Sequence, residues 1–470
     1  MVASPLHVRV AIVGGGATGA MIAWHFLRAR SDLGANALAI IEPRARLGAG
    51  QAYGSNDPEH RINVPASRMS IDTQTPEDFS AWLDRDALEA TDPDAFLPSG
   101  DIYPTRATFG IYLAARLEQE QGAGRLRHIR DSVTSIHKIS AGWAIKTDGD
   151  TQLVADAVVI ATSHPAPSLP KPLRTVANDP RVVANPWAIN ALDDLAPDAR
   201  LVIVGTGLTM ADVVASATAH GHHGPIIAFS RRGLRSRGHA STSPDPLGDF
   251  TTQPARTARE LLNRIRAVLA SHPDRPWQDV LDAVRKQGRA LWAALSMPER
   301  KRLIRHLRPF WDVHRFRVAP QIEQTVDRRL SDGTLQILAA RLEDAEANPS
   351  AVRLTIHPRG GATTHIEADR VINTTGPNHA GILAVPYLHG LAQGGFVEAD
   401  PVGLGLHTTF DHRALARGVA QDRLFIAGPL SRGTFGELMG LPEVTANAES
   451  VARLLASDAV TPHPHSFIEA

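Results

Sequence analysis

The chain has 470 residues, 43% of them hydrophobic, with 49 Lys and Arg against 49 Asp and Glu and no cysteine. Its size predicts about two to three globular domains, and the balanced charge gives no argument for a nucleic-acid or membrane partner. Without cysteine there is no redox-active thiol pair, thiolate-bound metal or cluster, or thiol nucleophile, so any electrons must go to oxygen, a small molecule or another protein.

In chain order, the apolar run Val8 to Val13 predicts a strand, Gly14-Gly15-Gly16-Ala17-Thr18-Gly19 a turn, and Ala20 to Arg30 a helix. Such a turn lets backbone N–H groups and a helix N-terminus approach a pyrophosphate. A second apolar run, Ala37 to Ile41, delivers Glu42 where an acid accepts a ribose hydroxyl. The turn breaks the apolar N-terminal stretch, no run of about 20 apolar residues occurs, and the cytoplasm is the expected location.

Pro58, Pro65, Pro76, Pro93, Pro98 and Pro104 then mark loops, and Thr105 to Gln121 has a helical pattern. Arg130 to Thr147 alternates like a hairpin, Leu153 to Ala161 reads as a buried strand, and Pro165, Pro167, Pro170 and Pro172 mark a linker. A second unit follows. Leu201 to Val204 precedes Gly205-Thr206-Gly207-Leu208-Thr209-Met210-Ala211-Asp212, and the next strand, Pro225 to Phe229, ends at Ser230-Arg231-Arg232. Guanidinium groups at that position pair with a 2′-phosphate that an acid would repel, which favours NADPH over NADH. Met210 fills the slot of the usual third Gly or Ala, a role that Ala211 could take; the alternative is an ordinary βαβ unit with arginines on a solvated face.

The stretch from Thr257 to Leu330 reads as mostly helical, with Lys and Arg outnumbering Asp and Glu by about two to one and Trp277, Trp292 and Trp311 interleaved. An apolar face of Leu261, Leu262, Ile265, Val268 and Leu269 favours packed helices over a nucleic-acid surface. His314, Arg315 and Arg317 precede Val318-Ala319-Pro320, outside the helix proper. There they could reach an interdomain cleft as proton carrier and carboxylate holders, or form a packing cluster around Trp311. His239 is a comparable loop candidate beside Arg235 and Arg237, whereas His25 and His60 read as structural. Strands are expected at Leu335 to Leu342, Ala351 to His357, Arg370 to Thr375 and Leu424 to Ala427, with a last helix from Pro442 to Leu455. No histidine spacing argues for a metal, and nothing indicates an oligomeric state.

The fold class is thus α/β with two Rossmann-like dinucleotide-binding domains. Residues 1–170 and 346–470 would form the first, interrupted by an NADPH-binding insert at 171–345 with a basic helical segment at 251–330.

Several segments carry a resemblance: the first fingerprint; Leu47-Gly48-Ala49-Gly50-Gln51-Ala52-Tyr53; Ile62-Asn63-Val64-Pro65-Ala66-Ser67-Arg68-Met69-Ser70; Tyr103-Pro104-Thr105-Arg106 with Tyr112; the second fingerprint; Arg308 to Arg317; and Gly428-Pro429-Leu430 with Gly436-Glu437 and Pro442-Glu443. Over most of its length the chain resembles the FAD/NAD(P)-binding oxidoreductases with two dinucleotide domains, a class that includes flavin-dependent N-hydroxylating monooxygenases. It departs from them at Ser163-His164, where Gly-Tyr commonly follows Ala-Thr, and at Pro429, where many relatives have Asp.

The resemblance implies FAD in the first site. Gly14, Gly16, Ala17, Thr18, Gly19, Glu42, Gly50, Gln51, Val64, Met69, Ser70, Thr162, Gly428 and Pro442 would line it, and Gly205, Gly207, Thr209, Arg231 and Arg232 would hold NADPH. Asn63 would pass the flavin ring and bond a flavin hydroperoxide or the nicotinamide carboxamide, or else simply satisfy a turn; Arg106 would neutralise pyrophosphate or a substrate carboxylate, or form a surface ion pair. The implied activity is a single-component monooxygenase that hydroxylates a nitrogen of a small amine or amino acid with molecular oxygen, through a C4a-hydroperoxyflavin. Asn63, His314 and Arg315 are the candidate catalytic residues. The alternatives are an NADPH-dependent flavoprotein reductase and a non-catalytic FAD-binding redox sensor.

Overall fold

A computed structural model describes residues 5–188, 191–240 and 245–458. Two sheets organise it. The first is eight-stranded and begins with β1 (Leu6–Val13), α1 (Ala17–Ala29) and β2 (Leu38–Ile41). β1 and β2 are buried almost throughout, as parallel strands covered on both faces must be. Two short helices, α2 (Asp78–Trp82) and α3 (Arg85–Thr91), lead to α4 (Arg106–Gly122), whose cap Thr105 accepts the Thr108 N–H.

Strands β3 (Leu126–Ile129), β4 (Val133–Ile139), β5 (Gly142–Thr147) and β6 (Gln152–Ile160) follow. β6 lies parallel to β1, and its N-terminal half pairs antiparallel with β5. This ordering sets the end of β6 directly above the glycine turn that follows β1.

The second sheet has the order β12-β11-β10-β9-β8-β13-β7. Its strands are β7 (Val182–Val183), β8 (Leu201–Val204), β9 (Ile226–Ser230), β10 (Leu335–Ala347), β11 (Val352–Pro358), β12 (Thr364–Ala368) and β13 (Arg370–Asn373). Between β8 and β9 runs α5 (Leu208–Ala219). Six helices separate β9 from β10: α6 (Ala258–Ser271), α7 (Trp277–Lys286), α8 (Gly288–Ala294), α9 (Met297–His306), α10 (Arg308–Arg315) and α11 (Pro320–Ser331).

This sheet corrects the expected boundary at 345. β10 starts parallel to β9 and continues past residue 345 as one arm of an antiparallel hairpin with β11, and β13 returns to pair with β8. The alternating 351–357 segment therefore extends the second sheet through Asn373.

The chain re-enters the first unit through α12 (Pro386–Gln393), β14 (Arg413–Ala416) and β15 (Val419–Ile426), which pairs parallel with β6. It ends with the short α13 (Arg432–Phe435) and α14 (Leu441–Asp458), which packs along α1. Among the described residues no helix is long and apolar enough to cross a membrane, and no group of three or more His, Cys, Asp or Glu residues could hold a metal ion.

Candidate functional site: two glycine turns and the helices between them

At the first turn Gly14 has φ +101, and a Cβ there would lie 2.9 Å from the Ala161 carbonyl and from Thr162 Cα. Glycine is required on both counts. No side chain caps α1, whose N-cap is Gly16, so its leading N–H groups are left for an anion. Glu42 is buried at the end of β2 and accepts from the Gly15 N–H at 3.0 Å and from the Arg44 N–H and Nη1 at 3.1 and 2.9 Å. Its carboxylate is held against the turn, as ribose recognition requires. Gly50, φ +52, brings the 47–53 loop so close that a Cβ would meet Gly16 Cα at 2.8 Å, and Gly428 stands as close to Thr18. The strand, turn, uncapped helix and acid fit FAD at this end.

The second turn repeats the construction. Gly205 has φ +120, its Cβ would meet Thr374 Oγ1 at 2.5 Å, and α5 opens at Gly207 with no side-chain cap. Met210 is buried beside Ala211, facing Val318 and Val326 of the α11 region, so its bulk enters the core and not the turn. Arg231 and Arg232 are exposed at the end of β9, and the Arg232 guanidinium lies 5.0 Å over the Phe310 ring. Both cations are open to a phosphate.

Several expected contacts fall elsewhere. Arg106 is neither a surface ion pair nor free for a ligand: its Nη2 donates to both oxygens of Asp212 on α5, at 3.1 and 2.9 Å, in a buried pair that joins the two units. His314 and Arg315 lie within α10, not beyond it. His314 bonds the Phe310 carbonyl and meets Trp277 edge-on, while Arg315 is paired with Glu437 at 2.7 Å, both side chains 6% exposed. Those two residues serve packing, and Arg317 does likewise through Asp282 at 2.8 Å. Ser70 donates to the Thr75 carbonyl and Met69 is in the core, both buried as residues that pack and do not react. Thr162 bonds the Tyr387 hydroxyl at 3.0 Å, the Gly428 N–H donates to Asn447, and Gln51, Val64 and Thr209 are half-buried; Pro442 is exposed on the first turn of α14.

Asn63 is half-buried, and its carbonyl accepts from His239 Nε2 at 2.9 Å. That bond ties the loop after β9 to the segment expected to pass the flavin ring. Burial pushes the His239 imidazole down to about 4, so it is neutral at pH 7. His25 and His60 bond the Ile71 carbonyl and Ser55, in structural roles.

The sequence reading missed two features. The first is a histidine pair where the two interdomain linkers meet. His164, just after β6, and His379, just after β13, have ring centroids 4.3 Å apart. Arg308 Nη2 donates to His379 Nε2, which leaves Nδ1 carrying a proton with no partner among the described residues; neither His164 nitrogen has a well-formed hydrogen bond. Burial and the nearby guanidiniums of Arg308 and Arg432 push His164 down to about 4. Burial, its neighbouring His164 and the same cations push His379 down to about 3. The second feature is the docking of the helical segment on the closing motif, through Arg285–Glu443, Arg315–Glu437 and the Trp292 N–H to the Gly433 carbonyl. A run of arginines with interleaved tryptophans was the visible trace of it.

Residues 11–165 match the FAD-NAD(P)-binding family model. No curated protein matches the chain by sequence. Among solved structures, the reduced form of ornithine hydroxylase from Pseudomonas aeruginosa overlays with a TM-score of 0.65 at 18% identity, covering 96% of this chain and 98% of that one. The chain shares the fold of that protein over almost its whole length. An ornithine N-hydroxylase from Kutzneria sp. 744, solved with reduced FAD, NADP+ and L-ornithine, gives 0.64 at 16%, covering 97% and 100%. The bacillithiol disulfide reductase of Staphylococcus aureus gives 0.56 at 13%, covering 96% and 99%. One frame thus serves both ornithine hydroxylases and a disulfide reductase.

Proposed function

We propose that this protein is an FAD- and NADPH-dependent monooxygenase that hydroxylates a nitrogen of a small amine or amino acid. The observation that carries the reading is the pair of like-built glycine turns that close on opposite charge, Glu42 at one and Arg231 with Arg232 at the other. The full-length likeness to the ornithine hydroxylases supports it. The absence of cysteine leaves this chain no thiol of its own through which electrons could pass to a disulfide, which favours the hydroxylase reading over that of a disulfide reductase.

In this reading the N–H groups opening α1 hold the flavin pyrophosphate and Glu42 accepts from its ribose. The α5 N-terminus holds the NADPH pyrophosphate, and Arg231 and Arg232 pair with its 2′-phosphate. Bound FAD supplies the redox chemistry that takes electrons from NADPH and activates oxygen. The chain's part is to orient and to exclude water: β6 and β13 end over the two turns, and α10 covers the closing motif. Asn63, with its carbonyl fixed by neutral His239, keeps its side-chain amide for a ligand.

The test is aerobic NADPH oxidation by the flavin-loaded protein across a panel of primary amines and amino acids, with mass spectrometry for products that have gained one oxygen atom. Stimulated oxidation with an N-hydroxylated product is expected. Hydrogen peroxide equal to the NADPH consumed, with no hydroxylated product from any amine, would replace this reading with that of a reductase or oxidase.

A further inference from the structure

Helix α10 is fixed on three sides. Arg308 is bonded to Asp312 at 3.1 Å and to His379, the Trp311 Nε1–H donates to Glu437 at 3.2 Å, and Arg315 pairs with Glu437. Val313 is buried, and its carbonyl accepts the Arg237 N–H from the loop after β9. Phe310 is the residue of this anchored helix left exposed, at 44%. Apolar side chains exposed singly are ordinary, so this ring matters for what rests on it.

What lies over that ring is Arg232, its guanidinium carbon 5.0 Å from the centroid. A guanidinium plane held on an aromatic face keeps its N–H edge free to pair with phosphate, and its outer face free to stack on a second π system such as adenine. Arg232 stands at the end of β9, where this fold meets the adenosine ribose of a dinucleotide on the second turn. The ring comes from the helical segment, remote in sequence from the turn it would serve.

We infer that Phe310 is a positioning residue for NADPH specificity: it supports Arg232 for the adenosine 2′-phosphate, so that the helical segment contributes to cofactor choice. This rests on the NADPH reading above. Arg231, whose side chain does not lie on the ring, pairs with the phosphate in either case.

The experiment measures 2′,5′-ADP and 5′-AMP binding to the flavin-loaded protein by calorimetry, for wild type, Phe310→Leu and Phe310→Tyr. Wild type binds 2′,5′-ADP more tightly than 5′-AMP. Phe310→Leu weakens 2′,5′-ADP binding about two- to fivefold, the worth of an exposed cation–π contact, with a smaller change for 5′-AMP. Phe310→Tyr restores it, and the leucine variant raises KM for NADPH while kcat stays unchanged. Undiminished 2′,5′-ADP binding in Phe310→Leu, or equal losses in the leucine and tyrosine variants, overturns the role of Phe310 alone. A wild-type protein that does not distinguish 2′,5′-ADP from 5′-AMP overturns the NADPH reading with it.

Discussion

The two glycine turns are built alike and finished differently. In each, a positive-φ glycine lies beneath the end of a neighbouring parallel strand, Gly14 under Ala161 and Thr162 beyond β6 and Gly205 under Thr374 beyond β13, and an uncapped helix follows. At the first turn the recognition group is a buried carboxylate already bonded to Gly15 and Arg44; at the second it is a pair of exposed guanidiniums, one resting on a ring from another element. A pre-bonded, buried acceptor suits a ligand that stays. Exposed long side chains suit one that arrives, is recognised by charge and leaves.

The sharpest way to break this comparison is to give both glycines a side chain. Gly14→Ala forces a Cβ against backbone at 2.9 Å in a positive-φ position, and Gly205→Ala does so against Thr374 Oγ1 at 2.5 Å and its carbonyl at 2.7 Å. Gly14→Ala should purify with under about a tenth of the wild-type flavin absorbance, while Gly205→Ala should keep its flavin and lose reduction by NADPH. If both variants lose flavin equally, the division of labour between the turns is wrong.

The next largest effect is at the joint between them. Asp212 sits on the helix of the second turn, and its buried partner Arg106 opens α4 in the first unit. Asp212→Ala leaves a buried guanidinium without its partner, a loss of about 3–5 kcal/mol. A fall of roughly 3–5 °C in the thermal midpoint is expected, with Asp212→Asn intermediate. An unchanged midpoint would mean that the two units are not coupled through this pair.

The turns were legible in the sequence because they are local: strand, glycines, helix and the next strand follow within about forty residues, and the chain geometry puts Glu42 and Arg231 at the ribose end. What was not legible depends on partners far away. Arg106 and Asp212 are 106 residues apart and Arg315 and Glu437 are 122 apart, and no local pattern distinguishes a buried ion pair from a surface one. His314 and Arg315 were read as past a helix that in fact runs through Arg315 before Pro320 opens the next. The boundary at 345 failed for a similar reason. An antiparallel hairpin grown from a parallel strand alternates like any other, so alternation alone does not tell which sheet it joins.

A gentler cut separates the two closing groups. Replacing Arg231 and Arg232 together with Ala removes charge-assisted bonds to one phosphate, each charged bond worth about 1.5–3 kcal/mol. KM for NADPH should rise by about a hundredfold or more and that for NADH by far less, with flavin content untouched. Equal effects on the two nucleotides would reduce the arginines to surface charge.

The smallest effect concerns the linkers that hold the turns in register. His164 and His379 are held neutral, down to about 4 and about 3 in the folded protein against an ordinary imidazole value near 6.5. Below pH 6.5 the unfolded chain therefore binds protons at these rings that the folded chain refuses. Their contribution to stability is complete above that pH and is lost as pH falls through the window from 6.5 toward 4, at no more than about 1.4 kcal/mol per pH unit for each ring. Asp312, whose carboxyl burial pushes up, works in the opposite sense. Unfolding midpoints in urea at pH 7.5 and 5.0 should show the protein less stable at the lower pH, and a His164→Phe, His379→Phe double variant should show a shallower difference. A difference as steep in the variant as in the wild type would place the acid sensitivity elsewhere, at His239 or His412, whose burial lowers them comparably, to about 4. The linkers would then join the two turns without making the joint sensitive to acid.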